Sequence, residues 1–143
     1  MKISIHKGYI LIISDRFVTL LSKVVRLPRS MGFSLFPCII VFRNLTHPMT
    51  EQWIMHERIH IYQSFESIFL IFPFAMLEYL YARIILKYSH TEAYFYECVE
   101  QEAYLNQYDQ HYLENRRFFS IWKYIKQKTK LHTDGNYHVV IEK

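Results

Sequence analysis

His56-Glu57-Arg58-Ile59-His60 sets two imidazoles four residues apart around a glutamate. On a helix, positions four apart differ by about 40° around the axis, so both rings leave one face and can bind a single metal ion. Glu57 projects one step further round, beside such an ion and off its coordination positions. A carboxylate placed there can take a proton from a metal-bound water. The chemistry this spacing points to is metal-assisted hydrolysis, with His56 and His60 as ligands, Glu57 as the catalytic base and Zn2+ as the expected ion.

A catalytic zinc normally takes three protein ligands and leaves its fourth position to water, so a third ligand must come from elsewhere in the chain. The segment Glu97-Cys98-Val99-Glu100-Gln101-Glu102-Ala103-Tyr104 offers three glutamates. On a helical wheel Glu100 shares a face with Ala93, Tyr96, Glu97, Ala103, Tyr104 and Gln107, and the small alanines let two helices approach closely. Glu102 points the other way, among Phe95, Cys98, Val99 and Leu105. Glu100 is the leading candidate, with Glu102 and Glu97 as alternatives. Gln63, Tyr104 and His111 are candidates for hydrogen-bonding near the site or stabilising an oxyanion, and Trp53 for walling the pocket. His47, His90, His132 and His138 have no partner at ligand spacing.

Around these residues the chain reads as mainly helical with a small β element, an α+β domain over residues 1–143. Tyr9 to Ile13 is a strand, and Phe17, Leu20, Leu21, Val24 and Val25 recur at helical spacing until Pro28. Phe36 to Arg43 is a second strand, the natural sheet edge for an extended peptide, followed by a loop at Asn44 to Pro48. Thr50 caps a helix running to about Ile71, which Pro73 ends or kinks. Its apolar stripe is Ile54, Ile61, Phe65, Ile68 and Phe72, with the histidines roughly opposite. A second helix spans about Phe74 to Tyr88. Ser89-His90-Thr91-Glu92 has capping-box spacing and opens a third, reaching roughly Leu113. Phe118 to Lys128 makes a fourth helix, Asp134-Gly135 a turn, and Tyr137 to Ile141 a last strand.

His56-Glu57-Arg58-Ile59-His60-Ile61-Tyr62-Gln63, followed by Glu100-Gln101-Glu102-Ala103, resembles the zinc metallopeptidases of the gluzincin type. The likeness is closest to the CAAX-prenyl-protease-like branch, whose third ligand is the glutamate of an E-x-x-A-D motif, and to small bacterial proteins of the form H-E-x-x-H-x-x-Q…E-x-E-A-Y. It is carried by those two motifs and the helical hairpin between them. It implies a zincin-like fold, His56, His60 and Glu100 as ligands, and Glu57 as general acid/base. Tyr104 stands where the protease branch has aspartate, a residue that would normally orient a ligand histidine.

With 51% apolar, 17% aromatic and 21% charged residues, and only three glycines, the composition excludes a disordered chain. Cys38 and Cys98 lie far apart in apolar settings and read as packed thiols, which fits a reducing, cytoplasmic compartment. A net charge of +4 permits an anionic partner, and the basic run Lys123 to Lys130 could steer the protein toward anionic lipid, but nothing calls for nucleic acid. The apolar stretch within residues 65–86 is bracketed by Glu66 and Glu78 and interrupted by Pro73, so it is too short to span a bilayer but suited to a peripheral contact at the cytoplasmic membrane. The expected function is hydrolysis of a peptide or protein substrate. The alternative is a zincin-fold binding or regulatory protein without catalysis, membrane-associated through that stretch.

Overall fold

The β-branched run Tyr9–Ile13 forms a strand (β2), and an earlier strand, β1 (Lys2–His6), pairs with it in antiparallel register. Gly8, in the turn between them, holds φ +91°, a conformation that side chains resist. The computed structural model that carries these elements describes residues 1–25, 32–35, 38–43, 51–68, 70–133 and 139–141. Expectations at Pro28, Asn44 to Pro48, Thr50 and Asp134-Gly135 fall outside that set. The chain continues through α1 (Asp15–Val25), β3 (Gly32–Leu35) and β4 (Ile39–Phe42). β4 pairs parallel with β2 and antiparallel with β3, giving the sheet order β1-β2-β4-β3. The strand expected over Phe36 to Arg43 is therefore confined, within the described residues, to Ile39–Phe42. It lies inside the sheet, and the outer strand on that side is β3. The apolar run Ile39-Ile40-Val41-Phe42 is what a strand paired on both sides requires.

The helix carrying the histidines, α2 (Glu51–Ser67), lies between this sheet and a later helix, α5 (Cys98–Asn106). Ile61 packs with Leu11, Ile40 and Phe42 of the sheet, while Met55 and Ile59 pack on Ala103 of α5. Because it is enclosed from two sides, α2 buries its polar face: His56, Glu57, His60, Gln63, Ser64 and Glu66 are all buried. This corrects the expected apolar stripe. Ile54 and Ile61 do face the sheet, but Phe65, Ile68 and Phe72 are exposed, because the C-terminal end of the helix overhangs the packed core.

α2 stops at Ser67, earlier than expected, and Ile68 takes a left-handed φ of 47° at the bend. Pro73 lies in the first turn of the next helix, α3 (Ile71–Ile84), where its missing N–H has no helical partner to lose. The capping box at Ser89 is formed. The Ser89 side chain accepts from the Glu92 N–H, and the Ser89 N–H donates to the Glu92 carboxylate at 2.7 Å.

The helix this box opens is not continuous to Leu113, as expected, but breaks at Glu97 into α4 (His90–Tyr96) and α5. Side chains distant in sequence satisfy the backbone groups freed there. The Cys98 N–H donates to Glu78 at 2.7 Å, Gln101 donates to the Phe95 carbonyl, and Lys128 to the Tyr96 carbonyl. Two short helices follow, α6 (Tyr112–Asn115) and α7 (Ile121–Lys126), the latter shorter than the expected Phe118 to Lys128. A two-stranded ribbon, β5 (Leu131–Thr133) with β6 (Val139–Ile141), comes last.

Arg116, just after α6, ties these layers together. Its guanidinium donates to Glu66 of α2 and to Glu102 of α5, the latter at 2.6 Å, and all three side chains are buried. Tyr112 also donates to Glu102 at 2.8 Å. Removing one partner of a buried ion pair strands the remaining charge, a cost of about 3–5 kcal/mol. Arg116→Ala should therefore lower the unfolding free energy by about that amount in urea melts, whereas Arg117→Ala, whose parent residue is exposed, should stay within about 0.5 kcal/mol of the parent.

Candidate metal centre

Close packing of α2 on α5 through Ala103 brings Glu100 against the two histidines. The Nε2 atoms of His56 and His60 lie 3.1 Å apart. Glu100 Oε2 is 3.5 Å from His56 Nε2, and Glu100 Oε1 is 3.4 Å from His60 Nε2. At metal–ligand distances of about 2.0–2.1 Å, the edges of a coordination tetrahedron measure about 3.3–3.4 Å. Each contact among the three side chains is thus close to a tetrahedral edge, the carboxylate meeting the two imidazoles through its two oxygens. Among the described residues, this group of three is the one whose ligand atoms could hold a metal ion. Glu100 Oε2 and His56 Nδ1 are buried with no hydrogen-bond partner, and an acceptor left in that state beside two imidazoles fits a cation.

A chain of side chains orients His60. Gln63 donates through Nε2 to the Val99 carbonyl at 3.1 Å and to Glu102 Oε2 at 2.9 Å. Its Oε1 therefore faces His60 Nδ1, 2.8 Å away, and must accept from it. With the proton fixed on Nδ1, neutral His60 presents the Nε2 lone pair toward His56 and Glu100, the tautomer a metal ligand requires. Glu102 is in turn held by Arg116 and Tyr112. The ring of Tyr104 packs edgewise on His56 at a centroid distance of 4.5 Å.

Burial alone would depress the pKa of His56, but the adjacent Glu100 carboxylate outweighs it and holds it above its ordinary value. For Glu100, burial works to raise the pKa, and the two histidines with the Tyr94 hydroxyl prevail and lower it. Glu57 is different. Burial raises its pKa, and the nearby histidines and a hydrogen bond from Ser34 of β3 reverse this only in part. A buried carboxylate beside the ligands, with its basicity raised, suits proton transfer near neutral pH. Since His56 must lose its proton to bind a metal, affinity for the ion should fall as pH drops through its raised pKa.

His56, His60, Glu57, Glu100, Gln63 and Tyr104 are gathered as expected. His111 is not: it is exposed on α6's N-terminal side and hydrogen-bonds Glu114 at 3.0 Å. Glu102 is no ligand but the anchor of Gln63. Glu97 caps the break before α5, and burial, followed by the charges of Glu100 and Glu78, pushes its pKa up to about 9. Trp53 packs toward the sheet cluster. Tyr94, whose hydroxyl lies near Glu100, went unnoticed in the sequence because the break at Glu97 turns α4 relative to α5. Arg116 was also missed, although an acidic residue amid Cys98, Val99 and Leu105 was a signal that Glu102 needs a buried cation.

No family model, curated protein or solved structure matches the chain.

A divalent metal ion at about a thousand times its Kd should stabilise the fold by about 4 kcal/mol, and thermal melts of His56→Ala should show no such gain. Gln63→Ala, which keeps all three ligands, should weaken the affinity about 10–100-fold in a chelator competition assay.

Proposed function

We propose that the centre holds Zn2+ and that the protein is a metal-dependent hydrolase acting on peptide bonds. The observation that carries this reading is the pairing of three buried ligand side chains, in mutual contact at 3.1–3.5 Å, with a buried fourth residue, Glu57, that lies beside them but is not one of the ligands. When bound, such an ion supplies a Lewis acid and brings the pKa of coordinated water from 15.7 to about 7. The work left to the chain is proton handling and placement. Glu57 accepts a proton from water and returns it to the departing amine, a role that suits a carboxylate made more basic by burial. Gln63 and Glu102 keep His60 in one tautomer, and the Tyr94 hydroxyl lies close enough to Glu100 to favour its ionised form.

Substrate approach is best served by β3. Among the described residues it is the outer strand of the sheet on the side of α2, and Ser34 within it lies near Glu57, so a peptide added along that edge of β3 would run beside the catalytic base. This moves the expected peptide-pairing edge from residues 36–43 to Gly32–Leu35.

Zinc-loaded protein incubated with a pooled peptide library, read by mass spectrometry, should produce cleavage that a chelator stops. Glu57→Gln should retain stoichiometric zinc and lose about a hundred- to ten-thousand-fold in rate. Cleavage unaffected by Glu57→Gln, or metal-loaded protein without cleavage, would leave the centre as a structural tie.

A further inference from the structure

α3 buries one narrow ridge, Ile71, Ala75 and Ala82, with Glu78 partly covered beside them. A helix on a protein surface is expected to turn polar residues to the opposite side. α3 does the reverse. Phe72, Met76, Leu77 and Ile84 stand in solvent, Leu77 with 63% of its surface open, and the overhanging end of α2 extends the same apolar character through Phe65 and Ile68, the latter 79% exposed. Large apolar side chains exposed along the whole of α3 and at the adjoining end of α2 mark an interaction surface.

Charge identifies what covers it. The one acid of α3, Glu78, is turned inward, where it binds the Lys128 ammonium at 2.5 Å and the Cys98 N–H. The charged residue that α3 exposes is Arg83, and Lys87 stands exposed just beyond its C-terminal end. An apolar helix face whose exposed charges, at its C-terminal end, are cationic matches a bilayer surface that carries anionic headgroups. Length sets the mode of contact. At 14 residues α3 extends about 21 Å, short of the roughly 30 Å hydrocarbon core. No single helix among the described residues is long and apolar enough to cross a membrane.

We propose that α3 and the C-terminal end of α2 form a docking surface for an anionic phospholipid bilayer, with α3 lying in the plane of the interface. The apolar residues enter the acyl boundary and Arg83 and Lys87 meet the headgroups. This surface stands whether or not the metal centre is catalytic.

Flotation of the full chain with phosphatidylcholine vesicles, with and without phosphatidylglycerol, tests the proposal. The protein should float with the anionic vesicles, less so with neutral ones and less in high salt. Leu77→Glu combined with Ile84→Glu changes two exposed positions, so circular dichroism should stay the same while the bound fraction falls at least about ten-fold. Protein that stays at the bottom of the gradient, or a double variant that floats as well as the parent, would overturn it. So would light scattering that shows a dimer dissociated by the double variant with no vesicle binding in either protein, for then a second copy covers the face.

Discussion

The contact of Glu100 with His56 and His60 organises the rest of this molecule. Bringing a carboxylate and two imidazoles into a buried site costs several kcal/mol unless each group finds a partner of opposite character. The interface between α2 and α5 answers that demand in layers. Glu100 faces the histidines, Gln63 accepts a hydrogen bond from His60, Glu102 holds Gln63, and Arg116 closes the series against Glu66. Apolar packing of Met55 and Ile59 on Ala103 supplies the close approach, and the polar series fixes which residues meet. The arrangement makes α2 unusual among helices that border a sheet, since the face turned from the strands is also buried and is polar.

Much of this was legible in the sequence. The spacing of His56, Glu57 and His60 fixed a common face, and the alanines near Glu100 marked the side on which another helix could approach; Ala103 does serve that purpose. The capping box at Ser89 was legible because it is local chemistry, complete within four residues. The break at Glu97 was not, because its stabilising partners, Glu78 and Lys128, lie twenty or more residues away and act through the folded structure. The same cause hid Tyr94 and Arg116. β1 gave no clear signal for a different reason: it is exposed throughout and placed by its ladder with β2, so no burial pattern marks it.

The stripe along α2 failed as a guide to burial because amphipathic patterning assumes one buried face and one wet face. Here the sheet takes Ile61, α5 takes the polar residues, and the apolar residues at the far end, with most of α3, are left outside. A single displacement of the apolar surface from core to exterior thus accounts both for a buried polar centre and for an exposed apolar hairpin. In the reading favoured here, the first is a hydrolytic site and the second its attachment to a lipid surface, which would present membrane-proximal polypeptide to the edge of β3.

The central claim is that Glu100, arriving from a separate helix, completes a ligand set with the two histidines. X-ray absorption at the zinc edge of the metal-loaded protein tests it most directly. The account predicts a shell of nitrogen and oxygen at about 2.0–2.2 Å with the outer-shell scattering of two imidazoles, and a lower zinc affinity in Glu100→Ala. A sulfur shell near 2.3 Å, or a spectrum without imidazole scattering, would contradict it.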